Sequence, residues 1–81
     1  MYYVYLLQSI NFPNEHYTGY TEDLQTRIKD HNTGKSTHTN KFKPWKIATY
    51  FVFENIQTAQ DFEIYLKTGS GRAFLKKHFL K

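Results

Sequence analysis

Cysteine is absent from the chain, which excludes disulfide staples and thiolate-bound metals and suits a reducing compartment. Long apolar runs are absent too. The most apolar stretch, Met1–Gln8, is far shorter than the ~20 residues needed to cross a bilayer. It also lacks the positive flank and small-residue cleavage site of a secretion signal. It reads as a strand of a soluble, cytoplasmic protein. Acidic residues run out in two places. None follows Glu63, whereas Lys67, Arg72, Lys76, Lys77 and Lys81 do, and Gly34–Lys46 is acid-free while carrying Lys35, Lys41, Lys43 and Lys46. His16, His31, His38 and His78 are scattered without the spacing of a zinc site. Internal repeats, low-complexity tracts and inter-domain linkers are missing as well.

What remains is 81 residues, enough for one domain spanning 1–81. A chain this short buries only roughly 60% of its unfolded surface, so its core must be efficient. Seven Phe, seven Tyr and one Trp supply large apolar faces for it. The net charge of +4 is modest, but its clustering suits a polyanion, because lysines that neutralise phosphates release counterions. Lys35, Lys41, Lys43, Lys67, Arg72, Lys76 and Lys77 are the candidate phosphate contacts. A basic, solvated surface is the bland alternative.

Tyr3, Tyr5 and Leu7 alternate with Tyr2, Val4 and Leu6, so a first strand over 2–8 is apolar on both faces and covered on both. Asn11, Pro13 and Asn14 mark a hairpin loop, after which His16–Tyr20 pairs back. Thr21 is read as the N-cap of a helix with Glu22 and Asp23 in its first turn. Leu24, Arg27, Ile28 and His31 share one face of that helix, which stops at Asn32-Thr33-Gly34. Trp45–Phe53, aromatic and β-branched, is a third strand. Thr58 with Asp61 resembles a capping box for a helix running to about Lys67, with Ala59, Phe62, Tyr65 and Leu66 facing the core. Gly69 and Gly71 are read as a break at a helix–helix corner, with a last helix over Arg72–Leu80. The order β-β-α-β-α-α predicts an α/β sandwich: a small three-stranded antiparallel sheet flanked by helices.

Phosphodiester hydrolysis needs a base for water, a cation at the leaving oxygen and donors for the phosphate. One set of residues offers all three: Tyr5 and Tyr17 on adjacent strands, Arg27 and His31 one turn apart, and Glu63 on the second helix. Each also has an ordinary reading. The tyrosines suit a core with satisfied hydroxyls, Arg27 and His31 a solvated helix face, and Glu63 a capped or paired carboxylate.

The order of these residues nevertheless resembles a known signature. Tyr3-Val4-Tyr5, then Tyr17-Thr18-Gly19 twelve residues on, then Leu24-x-x-Arg27-x-x-x-His31, is similar to the GIY-YIG nuclease motif. The likeness continues through Trp45–Tyr50 and Ala59-x-x-Phe62-Glu63-x-x-Leu66-Lys67 to Gly71-Arg72. It is greatest to small single-domain bacterial members, related to the N-terminal nuclease domain of the excinuclease subunit that makes incisions in nucleotide excision repair. The resemblance implies a metal-dependent endonuclease acting on DNA by one-metal, in-line attack of a tyrosine-activated water. On that basis Glu63 would bind one Mg²⁺ or Mn²⁺ and Arg27 would contact the scissile phosphate. Tyr5 or Tyr17 would be or assist the base, and His31 would hydrogen-bond the tyrosine or the water. A tyrosine ordinarily titrates near ~10, so neighbours such as Arg27 are expected to lower it. Two departures stand out: the first motif reads Tyr3-Val4-Tyr5 in place of Gly-Ile-Tyr, and no asparagine follows Glu63. A nucleic-acid-binding module of the same fold without turnover is the runner-up, and a protein-interaction scaffold is a third class.

Overall fold

A computed structural model describes residues 1–80. Strand β1 (Tyr2–Ser9) is the middle strand of a three-stranded antiparallel sheet, between β2 (His16–Thr21) and β3 (Trp45–Phe53). That central place explains its two apolar faces. Val4, Tyr5, Leu6, Leu7 and Ser9 are all buried, because both sides of the sheet carry helices. Val4 and Leu6 pack on one side with Ala59, Leu66 and Leu75. Tyr5 and Leu7 point to the other, with Trp45, Leu24 and Ile28.

Helix α1 (Leu24–Thr33) covers the Tyr5 face, while α2 (Ile56–Leu66) and α3 (Gly69–His78) cover the Val4 face. The antiparallel register sets Tyr5 opposite Gly19 on β2 and opposite Tyr50 on β3, and Leu7 opposite Tyr17. Between Leu6 and Leu7 the β3 register slips by one residue, at Ala48.

The expected fold class and element order are present. All three helix starts differ from expectation. Thr21 ends β2, and Asp23 caps α1 in its place. The Asp23 carboxylate accepts from both the backbone N–H and the hydroxyl of Thr26, two bonds and a charge at a positive helix end. Asn55, not Thr58, caps α2, its side-chain oxygen accepting from the Thr58 N–H at 3.0 Å. Thr68 caps α3, so Gly69 and Gly71 lie inside the helix rather than before it. A Cβ on Gly71 would overlap the backbone of Tyr65 and Leu66; the corner needs a glycine because the α2 end and the α3 start touch main chain to main chain. Helix α3 ends at His78, and Lys81 lies outside the described residues. Tyr65, expected to face the core, is 40% exposed and stacks on Phe62. Gly34 does stop α1, in the left-handed conformation at φ 85°.

Candidate active site

The site is built around a gap in β2. Gly19 stands directly across from Tyr5, and a Cβ there would fall on the Tyr5 ring and hydroxyl. Glycine is required for room and not for its backbone, since its φ is not positive. The Tyr5 side chain therefore lies over the strand with its hydroxyl against α1. There it meets His31 Nε2 at 2.8 Å. His31 is fully buried, and its other ring nitrogen lies 2.7 Å from the hydroxyl of Thr39, also buried. The Thr39 carbonyl accepts from the Trp45 indole at 2.8 Å. Asn32 ties the end of α1 to β3 by accepting from the Trp45 N–H at 2.6 Å and donating to the Trp45 carbonyl at 3.1 Å. Helix, loop and strand thus hold the histidine from three sides.

Arg27, one turn before His31, lies 3.6 Å from Asp30, and its positive charge is near enough to Tyr5 to favour the phenolate. Asp30 in turn is 3.8 Å from Lys35. The Arg27 side chain is 35% exposed, so it has a buried anchor and a face open to solvent. Tyr17 packs on the same group, its ring centroid 5.0 Å from that of His31 and 6.4 Å from that of Tyr5. Tyr17 remains half-buried where Tyr5 is 1% exposed. Tyr5, Tyr17, Arg27 and His31 are brought together.

The electrostatics differ from expectation in one respect. Burial raises the Tyr5 phenol above its ordinary range, and the Arg27 cation offsets only part of this; Arg27 does not lower it overall. His31 moves down, because burial and then Arg27 disfavour the imidazolium, with Asp30 opposing weakly. Both groups are neutral at physiological pH, a phenol beside an imidazole.

Glu63 stands apart. It projects from α2, on the far face of the sheet, and pairs with Lys67 at 3.2 Å. Burial comes first in raising the phenols of Tyr5 and Tyr20, which lie on opposite faces, and the Glu63 charge adds to both. Among the described residues no three His, Asp or Glu side chains cluster for a metal.

The basic residues divide the same way. Lys67, Arg72 and Lys76 line one groove of about 630 Å³ between β2 and helices α2 and α3, together with His16 and Tyr17. Lys77 is exposed on α3 and does not line it. Lys35, Lys41 and Lys43 belong to the α1 side: Lys35 near Asp30, Lys41 over the Phe42 ring, and Lys43 bonded to Asn40. They do not share the groove. Thr39, in a polar loop, carries no spacing signal in the sequence, and Trp45 reads there only as a strand residue.

A family model described as the GIY-YIG catalytic domain matches residues 1–77. The chain belongs to the GIY-YIG family. A UPF0213 protein of Clostridium perfringens is 40% identical over 68 residues, covering 83% of this chain and 71% of that one. A UPF0213 protein of Streptococcus pyogenes serotype M3 is 32% identical over 72 residues, covering 88% and 76%. The solution NMR structure of a UPF0213 protein from Bacillus halodurans superposes with a TM-score of 0.57 at 30% identity, covering 95% of this chain and 84% of that one. The family is one of nucleases, which act on nucleic acid. No helix among the described residues is long and apolar enough to cross a membrane.

Proposed function

We propose that the chain is a divalent-metal-dependent endonuclease that hydrolyses phosphodiester bonds in DNA. The supporting observation is the meeting of Tyr5, Tyr17, Arg27 and His31 beside Gly19, with Tyr17 also lining the groove of Lys67, Arg72 and Lys76. In this reading Arg27 grips two non-bridging oxygens with its planar fork of donors. Tyr17, the tyrosine a substrate can reach, holds the attacking water and takes its proton only after giving up its own phenol proton to solvent. Tyr5 and His31 stand behind, fixing Arg27. Lys67, Arg72 and Lys76 hold flanking phosphates without reading bases.

Glu63 suits a hard cation. Mg²⁺ takes one or two protein carboxylates and completes its shell with water and phosphate oxygens, so a single half-buried carboxylate is a sufficient donor once Lys67 releases it. A cation held there would stabilise charge on the leaving oxygen. Nucleic-acid binding without turnover is the second reading, favoured by the Glu63–Lys67 pair and by the absence, among the described residues, of three His, Asp or Glu side chains clustered for a metal.

Likeness to the excinuclease domain directs the test towards repair-type DNA. Duplex, nicked, flap and single-stranded DNA, with an RNA arm, would be incubated with Mg²⁺ or Mn²⁺. Metal-dependent cleavage that is lost in Glu63→Ala supports the enzyme. Binding with no cleavage of any substrate supports the second reading.

A further inference from the structure

We propose that Thr39 is a positioning residue for Arg27, acting through His31 and Tyr5 by fixing the direction in which a buried chain of hydrogen bonds runs. The inference rests on the nuclease reading only for its effect on cleavage.

Counting donors and acceptors gives the direction. Among the described residues the Tyr5 hydroxyl has one hydrogen-bond partner, His31 Nε2 at 2.8 Å, so the Tyr5 proton has one good acceptor, and the nearby Arg27 can only donate. A neutral imidazole that accepts at Nε2 carries its proton on Nδ1. That proton points at the Thr39 hydroxyl oxygen, 2.7 Å away. The Thr39 proton then goes to the Ser36 carbonyl at 3.4 Å, the longest bond of the series. In this arrangement every proton has an acceptor.

The reverse direction fails at its far end. If Thr39 donated to Nδ1, Nε2–H would donate to Tyr5, and the Tyr5 proton would be left facing the guanidinium. A buried hydroxyl would lose its acceptor, and Arg27 would meet a positive hydrogen in place of lone pairs. Buried polar chains are satisfied in one direction at a time. Thr39, whose backbone carbonyl is held by the Trp45 indole, supplies the acceptor without which Nδ1–H would be unsatisfied, and so supports the tautomer that keeps the Tyr5 lone pairs free for Arg27. Burial of His31 and Thr39 at 0% and 1% exposure keeps bulk water from substituting.

The test compares Thr39→Val, which keeps the branched shape and removes the hydroxyl, with Thr39→Ser, which keeps the hydroxyl. Two-bond ¹⁵N–¹H correlation spectra of the imidazoles report the His31 tautomer directly. The parent and Thr39→Ser should show the Nδ1–H form, and Thr39→Val should shift towards Nε2–H. Exchange of the Arg27 guanidinium protons should quicken in Thr39→Val alone. Single-turnover cleavage should fall roughly 10²-fold in Thr39→Val, the scale of a misplaced positioning group, and stay within a few-fold of the parent in Thr39→Ser. An Nε2–H tautomer in the parent would overturn the proposal, and so would a Thr39→Val protein with unchanged tautomer and Arg27 exchange. Should the parent cleave nothing, the nuclease reading fails, while the tautomer and exchange measurements still decide this one.

Discussion

Replacing Gly19 with alanine is a direct test of how the site is packed. The added Cβ would land on the Tyr5 hydroxyl and ring and stand 3.0 Å from the Tyr17 ring. Tyr5 has nowhere to retreat: it is 1% exposed, and its hydroxyl is tied to His31 at 2.8 Å. Overpacking a filled core costs about 1–3 kcal/mol, and losing the Tyr5–His31 bond adds about 0.5–1.5 kcal/mol. The sum is about 1.5–4.5 kcal/mol. For a domain of this size even its lower end lowers the melting temperature by roughly 6–12 °C. Thermal melts followed by circular dichroism, with urea titrations beside them, measure the loss. The sign is informative as well. Glycine inside a strand is ordinarily about 0.5–1 kcal/mol worse than alanine, so a purely backbone effect would raise stability. The pair Tyr5→Phe with Gly19→Ala should recover part of the loss, with a coupling of about 0.5–3 kcal/mol. A Gly19→Ala protein that melts at or above the parent, with no coupling to Tyr5→Phe, would refute the packing described here.

Arg27→Lys keeps the charge but not the planar fork, so it should fold normally and bind DNA nearly as well, while the single-turnover rate drops about 10²-fold or more. A rate within a few-fold of the parent would leave Arg27 as no more than the partner of Asp30. Glu63→Gln breaks the pair between a half-buried carboxylate and an exposed Lys67 and should change stability by less than about 1 kcal/mol while abolishing cleavage; retained cleavage would remove Glu63 as the metal ligand. Changing Lys67, Arg72 and Lys76 together to alanine should make the log–log salt dependence of DNA binding shallower by roughly 2–3, equally for unrelated sequences, and an unchanged slope would move the binding surface elsewhere. His31 binds a proton less readily folded than unfolded. The unfolded chain therefore takes up its proton first, and stability should fall as the pH drops below about 6.5, by at most about 1.4 kcal/mol per pH unit from this group. His31→Gln should flatten urea-measured stability between about pH 7 and 5.5. Because His16 is shifted the same way by burial, a slope that persists only until His16 is also replaced would reassign the effect.

Patterns that depend on one element were legible in the sequence. The doubled apolar faces of β1 and the composition of Trp45–Phe53 located the strands because a central strand must be covered twice and a β-branched run packs well on a pleat. The starts of α1 and α2 were less legible, since each had two plausible caps within a few residues. The winner was decided by geometry: Asp23 offers two oxygens where Thr21 offers one, and Asn55 reaches the Thr58 N–H that a cap at Thr58 would have left behind. The glycines near α3 looked like breakers, yet Gly71 is demanded by contact with the end of α2, which no local pattern encodes.

The candidate site divides along the same line. Tyr5, Tyr17, Arg27 and His31 are spaced so that one hairpin and one following helix gather them, and those are short-range relations. The place of Glu63 is not one. Helix α2 follows β3 across the sheet, so its carboxylate approaches from the face opposite α1. The two halves are therefore contributed by helices on opposite faces of the sheet, and no spacing within one element relates them. The direction of the Tyr5 shift was equally out of reach, because it depends on how deep the phenol lies against how near the guanidinium stands. Here burial outweighs charge. A neutral Tyr5 is a better acceptor for Arg27 than a base for water, which leaves the half-buried, groove-lining Tyr17 to meet the substrate.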